Sequence, residues 1–321
     1  MNTLQTLLVA TDLSAPSRHA AQRAAMLARQ AGARLELVHV LERRALDELR
    51  RLFDDDGEAA QGRVREQARE ALSLLASEVG EPLGVSAGQH LLEGAVLESI
   101  GMQAELLDAA LLIVGARGAS CMRAWLLGAT AERLLRLTRR PILLVRQAPR
   151  EPYHRVIVAV DFSPWSTRAI RLAQAVAPRA RLILLHAYDV PFEGKMRISG
   201  VDADMIKRYA AKVHREALLR LRQSAREAGI PAASWQPLVI HGDAAAAVLQ
   251  HQEEEGSDLI VLGKHGVGMV EELLLGRGTL TRQRHKACPG RGTLRHACCG
   301  SLSIQFLIGF DIDRQGESGA D

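Results

Sequence analysis

The stretch "LLVATDLSAPSRHAAQRAAMLA" (residues 7–28) occurs a second time, with substitutions, as "VIVAVDFSPWSTRAIRLAQAVA" (residues 156–177). In each copy a short apolar run ends at an aspartate, and a serine then precedes an amphipathic segment. A near-continuous apolar run predicts a strand that is buried on both faces. Ser14 and Ser163 are expected to cap the helices that follow, because a serine oxygen accepts amide hydrogens of a first helical turn. Both copies therefore predict a buried strand that turns directly into a helix.

Three more blocks of sequence recur at nearly the same spacing. They are "ARLELVHVLE" (33–42) with "ARLILLHAYD" (180–189), "LLEGAVLESI" (91–100) with "VIHGDAAAAV" (239–248), and "DAALLIVGARG" (108–118) with "GSDLIVLGKHG" (256–266). The spacing stays between 147 and 149 residues in every block. A constant spacing of this length indicates a duplicated domain, which gives a unit 1 and a unit 2, and not a stack of short repeats. The segment 146–155 carries two prolines and is predicted to link the units.

Within each unit, apolar runs alternate with amphipathic segments. Strands are predicted at 5–10, 34–40, 87–92, 110–114 and 141–145 of unit 1, and at 155–160, 181–187, 235–240 and 258–262 of unit 2. Strands that alternate with helices predict an α/β fold, here two doubly wound domains that each have a five-stranded parallel sheet. The predicted boundaries are 1–147 for unit 1 and 153–276 for unit 2.

The last part of the chain departs from the duplicated pattern. After Gly276 the apolar stripe of a helix is missing, and "GRGTL" (290–294) is a poor replacement for a buried fifth strand. We therefore expect the fifth strand of unit 2 to be lost or displaced, and residues 277–321 to form a diverged, loosely ordered tail. The apolar stretch "SLSIQFLIGF" (301–310) could supply a displaced strand.

The composition indicates a globular protein that needs no disulfide framework. Three of the four cysteines, Cys288, Cys298 and Cys299, lie close together near the carboxyl end, which favours a reducing compartment. No apolar run approaches the roughly 20 residues of a membrane helix, and Asp12 comes too early for a signal peptide. These features predict a cytoplasmic protein without a membrane partner.

The positive charge of the chain is concentrated in one short segment. Six Lys and Arg residues and no acid lie between Glu272 and Asp311, whereas the whole chain carries a net charge of +4. The remainder is therefore slightly acidic, and a general nucleic-acid-binding surface is not expected.

A glycine pattern follows the fourth predicted strand of each unit. Its spacing is G-x2-G-x9-G, and its members are Gly115, Gly118 and Gly128 in unit 1 and Gly263, Gly266 and Gly276 in unit 2. Three further motifs accompany it: "VATDLS" and "VAVDFS" at the ends of the first strands, a glycine before the third helix, and "LIVG" ending the fourth strand. Together these motifs resemble the universal stress proteins of the UspA type over nearly all of residues 1–276. The resemblance implies a tandem, adenine nucleotide alpha hydrolase-like fold. One subgroup of that family binds ATP beside strands one and four, and the resemblance implies an ATP site at the same place in this chain.

The resemblance places the adenosine part of a nucleotide at the ends of strands one and two. Asp12 and Asp161 would accept hydrogen bonds from the adenine amine or a ribose hydroxyl, and Val40 and Ala187 would offer backbone groups to adenine. The location is physically reasonable, because ligands of open α/β sheets bind beyond the carboxyl ends of the strands, where the connection direction switches.

The phosphates would lie against the glycine pattern. Gly115 and Gly118 would let the backbone approach closely and adopt a positive φ. Gly128 would open a helix whose free amide hydrogens attract anions, and Arg117 would add positive charge. Magnesium is a possible companion of bound ATP.

Each unit departs from the nucleotide subgroup directly after its third glycine. The subgroup has Ser or Thr there, whereas this chain has Ala129 and Arg277. A missing hydroxyl donor costs about 0.5–1.5 kcal/mol of binding, and Thr130 could partly replace it. In unit 2, Lys264 and His265 could add positive charge, while Arg277 could hold a phosphate or block the pocket. Unit 1 is therefore the stronger nucleotide site.

Several of these residues also fit a purely structural role. Glycines and aspartates after strands also serve tight turns alone, and His39 and His186, which are aligned in the two units, are expected to be structural. A zinc site is not favoured, because the spacing of the histidines and cysteines in the tail matches no common finger; these are His285, Cys288, His296, Cys298 and Cys299. "FDDDG" (53–57) is expected to be a solvated loop.

The sequence thus predicts a stress-response protein that binds ATP or a related adenine nucleotide and acts through nucleotide-dependent contacts with a protein partner. Fast catalysis is not expected, because no general base, nucleophile or metal site accompanies the pocket. A nucleotide-free scaffold or dimerisation module and a slow nucleotide hydrolase are the alternatives. Pairing of the units within one chain and pairing in a homodimer are both open.

Overall fold

The computed structural model describes residues 4–53, 56–116, 128–188, 202–263 and 305–308. Strand and helix alternate in both units, as the apolar pattern predicts. In unit 1 the elements are β1 (Thr6–Ala10), α1 (Ala15–Ala31), β2 (Arg34–Glu42), α2 (Arg43–Leu52), α3 (Gly57–Gly80), β3 (Ala87–Gly94), α4 (Val96–Leu106), β4 (Leu111–Gly115), α5 (Ala129–Leu137) and β5 (Ile142–Val145). Later in the chain they are β6 (Arg155–Ala159), α6 (Pro164–Val176), β7 (Arg181–Tyr188), α7 (Ala203–Ala228), β8 (Trp235–His241), α8 (Ala244–Glu255), β9 (Leu259–Leu262) and β10 (Gln305–Ile308).

The strands of the described residues form one sheet with the order β3-β2-β1-β4-β5-β10-β9-β6-β7-β8. Neighbouring strands are parallel except for β10 and β5, which are antiparallel. Unit 1 contributes five parallel strands and unit 2 contributes four, β6 to β9. The predicted α/β class with two parallel sheets is confirmed. In each unit the connection direction switches beside the first strand, between β1 and β4 and between β6 and β9.

The apolar strands are buried because helices cover both faces of the sheet. In β1, Leu7 and Val9 face one core and Leu8 faces the other, and all three are fully buried. Helices α1, α3, α6 and α7 pack on the first face, and α4, α5 and α8 pack on the second. This double coverage explains why these strands are continuously apolar and do not alternate with polar residues.

The short strand β10 lies between the two units. Leu307 pairs with Leu143 of β5 on one side and with Val261 of β9 on the other. In unit 1 the corresponding place beside β4 is taken by β5, so β10 occupies the position of a fifth strand for unit 2. It falls inside the stretch 301–310. The boundary after Gly276 and the character of the rest of the tail lie outside the described residues and stay predictions.

One residue of the linker between the units, Tyr153, is buried, although most of the segment 146–155 is exposed. Arg23 of α1 is buried, its guanidinium carbon lies 4.2 Å from the ring centroid of Tyr153, and its Nη1 donates to the carbonyl of Glu151 at 2.8 Å. Burial of the Tyr153 phenol raises its pKa well above its usual value. A further contact joins the first helices of the two units, since Gln30 Nε2 donates to the Val176 carbonyl at 3.2 Å. The two units are therefore joined by side-chain contacts as well as by the sheet.

Helix α2 is an element that the sequence analysis did not predict. It is strongly charged and buries Leu46 alone among its residues, and Gln61 of α3 fixes it by donating to the Leu46 carbonyl at 2.8 Å. Within the described ranges, no helix is both long enough and apolar enough to cross a membrane.

Candidate functional site

The turn after β1 is organised around Asp12. The backbone amide of Ser14 donates to Asp12 Oδ1 at 3.1 Å, and the Ser14 hydroxyl donates to the same oxygen. Leu13, between them, has a φ of 62°, a left-handed conformation that non-glycine residues rarely adopt. Such a conformation costs of order 1–3 kcal/mol and is concentrated at functional sites. The turn therefore holds an exposed carboxylate in a fixed, strained geometry.

The corresponding turn of unit 2 repeats this geometry around Asp161. Its Oδ1 accepts three hydrogen bonds, from the Ser163 amide at 2.9 Å, the Ser163 hydroxyl at 2.6 Å and the Ser166 hydroxyl at 2.5 Å. Partial burial opposes ionisation of Asp161, but these donors outweigh it and hold the pKa of the carboxyl below its usual value. Phe162 again has a φ of 62°.

Ser14 and Ser163 occupy the predicted N-cap positions, but their predicted role is wrong. Neither side chain accepts an amide hydrogen from its helix. Each hydroxyl instead donates to the aspartate two residues earlier. The carboxylate is the stronger acceptor and lies within reach, so the serines fix the aspartates and leave the helix amides to other partners.

The two turns differ in one hydroxyl group. In unit 1 the buried Thr11 Oγ1 lies 2.9 Å from Ser17 Oγ and accepts the Leu13 amide at 3.0 Å. Unit 2 has Val160 in the place of Thr11, and Ser166, the counterpart of Ser17, bonds to Asp161. In unit 1 Ser17 instead contacts Thr11 and donates to the Ser14 carbonyl at 2.9 Å.

His39 and His186 fix the ends of the first strands. Nδ1 of His39 lies 2.8 Å from the carbonyl oxygen of Thr11, and Nδ1 of His186 lies 2.7 Å from that of Val160. A carbonyl only accepts, so Nδ1 carries the hydrogen in both rings. Burial, assisted by the charge of Arg220, lowers the pKa of His186. These contacts agree with the predicted structural role of both histidines.

Val40 and Ala187 lie near the carboxyl ends of the second strands, where they pair with Leu92 and Ile240 of β3 and β8. Both are half-buried and pack on the face of the sheet that α4, α5 and α8 cover. Their positions at the carboxyl edge are the predicted ones. Their contact with adenine stays a prediction.

The first glycine of unit 1 does not have the predicted backbone conformation. Gly115 is the last residue of β4 and pairs with Val145 of β5, so it is extended and has no positive φ. Gly128 lies at the N-cap of α5, and its amide donates to the carbonyl of Ala116 at 2.8 Å. This bond ties the start of α5 to the end of β4.

The N-terminus of α5 has no side-chain cap among the residues that the structure describes. Gly128 has no side chain, and no hydrogen bond from a described side chain caps the helix. Ala129 and Thr130 are exposed in the first turn. Amide hydrogens at such a helix start carry a partial positive charge and favour an anion.

A close helix contact explains why residue 263 of unit 2 is a glycine. A Cβ added at this residue would lie 3.2 Å from the Cβ of Trp165, at the start of α6. Unit 1 has Pro16 in the place of Trp165. The tight approach of the helix to the end of β9 therefore accounts for the glycine without a ligand.

The other predicted residues of the glycine pattern lie outside the described residues. They are Arg117, Gly118, Gly266 and Gly276, together with the neighbouring Lys264, His265 and Arg277. The tail histidines and cysteines lie outside them as well. Elsewhere, among the residues that the structure places, no group of three His, Cys, Asp or Glu side chains is arranged to hold a metal.

An aromatic cluster that the sequence pattern did not predict lies beside the turn of unit 2. The rings of Phe162 and His186 are 4.2 Å apart, and the guanidinium of Arg220 lies 4.1 Å from the Phe162 centroid. Tyr188 lies 5.3 Å from His241, measured between ring centroids. Unit 1 has Leu13, Leu41 and Glu93 in the places of Phe162, Tyr188 and His241, so an alignment of the two units could have found the cluster.

The fold and the paired aspartate turns define a class of protein, an α/β protein of the adenine nucleotide alpha hydrolase-like type with two units in one chain. The sequence model described as "Universal stress protein family" matches residues 3–146 and residues 152–289. The chain belongs to the universal stress protein family and is a tandem member of it.

Individual relatives agree with this assignment. The chain is 33% identical over 138 residues to "Universal stress protein in QAH/OAS sulfhydrylase 3'region" of Thermus aquaticus, which covers 42% of this chain and 93% of the relative. It is 25% identical over 142 residues to universal stress protein YxiE of Bacillus subtilis strain 168, with 43% and 96% covered. Both relatives therefore correspond to one unit.

A solved structure matches both units together. The universal stress protein of Archaeoglobus fulgidus DSM 4304 superposes with a TM-score of 0.59 at 19% identity, covering 95% of this chain and 98% of that one. At this identity the likeness concerns the fold alone.

Proposed function

We propose that unit 1 binds an adenine nucleotide, ATP or a related molecule, and passes the bound state to a protein partner without fast catalysis. The observation that carries the proposal is the meeting of two features at the carboxyl edge of β1 and β4. One is the fixed carboxylate of Asp12, and the other is the N-terminus of α5, which no described side chain caps.

The register of the sheet brings these features together. Ala10 of β1 pairs with Val114 of β4, and Asp12 and Ala116 each follow two residues later. Gly128, at the start of α5, is bonded to Ala116. A hydrogen-bond acceptor and an anion-attracting helix start therefore lie on neighbouring strand ends, at the point where the connection direction switches.

Each part of a nucleotide has a suitable group in this arrangement. Asp12 would accept hydrogen bonds from a ribose hydroxyl or the adenine amine, and the backbone near Val40 would contact adenine. The first turn of α5, with Thr130, would receive the phosphates. Arg117 and Gly118 would complete the phosphate contacts, and magnesium would accompany ATP as a counter-ion.

Two observations favour unit 1 over unit 2. Asp161 Oδ1 accepts a bond from the Ser166 hydroxyl besides the two from Ser163, whereas Ser17, the counterpart of Ser166, bonds to the Ser14 carbonyl. A ligand donor would have to compete with the additional bond of Ser166. Trp165 also packs on Gly263, at the place where a phosphate would approach the strand end. Unit 2 is therefore better suited to a structural role, as a scaffold that holds unit 1 and presents surfaces to partners.

A direct test is titration of ATP, ADP, AMP and GTP into the full chain by isothermal calorimetry. We expect ATP to bind with one site per chain, and Asp12→Ala to weaken binding about tenfold, the loss of roughly one charged hydrogen bond. Asp161→Ala is the matched control and should leave the affinity unchanged. Absence of ATP binding to the wild type would reject the proposal, and equal losses in both variants would reject the preference for unit 1.

Catalysis is tested separately on the same samples. Release of ADP from ATP, followed by chromatography over hours with and without magnesium, should stay near the rate without protein. Steady turnover that Asp12→Ala abolishes would favour the slow hydrolase instead. Hydrogen exchange at the start of α5 should slow when ATP binds, since bound phosphate would protect those amides.

A further inference from the structure

Helix α7 of unit 2 carries a straight row of exposed side chains on its outer surface, the α7 stripe. Its members recur at alternating spacings of three and four residues, which keeps them on one line along a helix. The seven members, all of them exposed, are Met205, Arg208, Lys212, Arg215, Leu219, Arg222 and Arg226. At 1.5 Å per residue the stripe is about 31 Å long. The buried Ala217, Leu221 and Ala225 lie on the opposite side of the helix, against the sheet.

Unit 1 shows that the fold does not require this stripe. Helix α3 packs on the same face of the sheet as α7, and its buried Leu72 and Ala76 correspond to Leu221 and Ala225. In the places of the stripe, unit 1 has Asp56, Ala59, Arg63, Glu66, Glu70, Ser73 and Ser77. One cation and three acids therefore stand where the α7 stripe has five cations and no acid.

Most cations of the α7 stripe are not neutralised within the described part of the chain. Lys212 pairs with Glu216 at 3.8 Å. Among the residues that the structure places, no acid pairs with the four others, which are Arg208, Arg215, Arg222 and Arg226. Arg215 donates from Nε to the Ala211 carbonyl of its own helix at 3.3 Å. A line of guanidinium groups without acidic partners attracts an anionic partner of similar length.

The two apolar members of the stripe select the kind of anionic partner. Met205 and Leu219 are 56% and 62% exposed, and they lie 14 residues apart, which is two heptads. A helix that lies along α7 presents side chains with this same period, whereas a nucleic-acid backbone offers phosphates and no apolar groups to these two residues.

The acids beside the stripe also favour a narrow partner. Glu216 and Glu227 are exposed on α7, next to the stripe. A broad anionic surface, such as a membrane or a nucleic acid, would be repelled by them, because like charges in close apposition are unfavourable. A single helix is narrow enough to contact the stripe and avoid these acids.

We propose that the α7 stripe binds an acidic amphipathic helix of a protein partner. Carboxylates of that helix would pair with Arg208, Arg215 and Arg222, and its apolar side chains would pack on Met205 and Leu219. The proposal does not rest on nucleotide binding, since the α7 stripe belongs to unit 2 and the proposed nucleotide site belongs to unit 1.

Fluorescence anisotropy with the full chain, in the absence of nucleotide, tests the proposal. The probe is a labelled alanine-based peptide of about 22 residues, the length of the stripe. It carries two leucines 14 positions apart and glutamates at the other positions of the same alternating spacing. We expect a dissociation constant of about 10 μM, at least about tenfold lower than that of a scrambled peptide of the same composition.

Substitutions in the stripe test its charged and apolar members separately. Arg215→Glu combined with Arg222→Ser copies unit 1 and should raise the dissociation constant at least about tenfold. Arg44→Glu combined with Arg51→Ser is the matched control, because it makes the same change of charge at exposed residues of α2, and it should change the constant less than about twofold. Leu219→Gln should raise the constant about threefold, since an apolar contact is lost.

Several results would overturn the proposal. The wild type would bind neither peptide or both equally, or the stripe variant would bind as tightly as the wild type. An equal loss in the α2 control would reduce the effect to net charge. Tighter binding, in the same salt, of a DNA duplex of about 22 base pairs or of phosphatidylcholine vesicles that contain phosphatidylserine would assign the stripe to a nucleic acid or a membrane instead.

Discussion

Replacing Thr11 with valine should weaken nucleotide binding although Thr11 itself is buried. The change copies Val160 of unit 2. It removes the oxygen that accepts the Leu13 amide and that lies 2.9 Å from Ser17 Oγ. Without that contact we expect Ser17 to exchange its bond to the Ser14 carbonyl for one to Asp12, as Ser166 bonds to Asp161. The carboxylate would then accept a further protein hydrogen bond beside the two from Ser14.

The magnitudes follow from the bonds that change. The half-buried Leu13 amide loses its acceptor, which costs about 1–2 kcal/mol of folding free energy, and the new bond of Ser17 offsets part of this. Competition for one acceptor should weaken the binding free energy of the nucleotide by about 0.5–1.5 kcal/mol, which corresponds to a roughly two- to tenfold higher dissociation constant.

Urea unfolding and ATP calorimetry measure the two effects. Thr11→Ser is the control, because it keeps the hydroxyl and should preserve most of both the stability and the affinity. The reverse change, Val160→Thr, should release Ser166 from Asp161 in unit 2. If the Thr11→Val variant is less stable but binds ATP as tightly as the wild type, the idea that Thr11 keeps Ser17 away from the site is refuted.

Three further predictions concern stability. Arg140→Ala should lower the free energy of unfolding by about 2–4 kcal/mol, because the buried guanidinium bonds to Glu105 at 2.6 Å and to the Ala109 carbonyl at 3.1 Å. The control Arg69→Ala removes an exposed ion pair and should lower it by less than about 1 kcal/mol. Equal shifts of the urea midpoint in the two variants would contradict this prediction. The pKa of Asp161 is lowered in the folded state, so its stabilisation of the fold should be present above the unfolded pKa and vanish as pH falls through the folded pKa. The free energies of unfolding of the wild type and of Asp161→Asn should therefore converge in acid. A difference between them that persists in acid would count against this prediction. Leu307→Pro removes a backbone donor from the middle of β10 and should lower the thermal midpoint, whereas the same midpoint as the wild type would show that this strand contributes little.

Much of the fold could be predicted from the sequence because burial on both faces leaves a clear pattern. For β1 the apolar run predicts 5–10, and the strand is Thr6–Ala10. Helix α2 was missed although Leu46, Leu49 and Leu52 lie at helical spacing, because the segment is short, begins directly after β2 and buries Leu46 alone. The partners of β10 were also beyond prediction, since its pairing with β5 joins residues more than 160 positions apart.

The site could be predicted in outline but not in its hydrogen bonds. Asp12, Asp161, Gly115 and Gly263 lie at the carboxyl edge of the sheet, where the strand pattern predicts them, and nucleotide binding there stays a prediction. The roles of Ser14 and Ser163 were wrong because the choice between a helix amide and a carboxylate depends on a turn geometry that no periodicity records. The positive φ expected at Gly115 was wrong because β4 continues for one residue further and pairs with Val145.

The position of β10 has a consequence for the order in which the protein is made. The strand at the middle of the sheet comes after every other described strand in the sequence, at residues 305–308. On the ribosome, unit 1 can fold and unit 2 can assemble β6 to β9 long before the strand that joins them has emerged. Until then two strand edges stay open in the nascent chain, so this interval is when the protein is most exposed to pairing with the wrong strand.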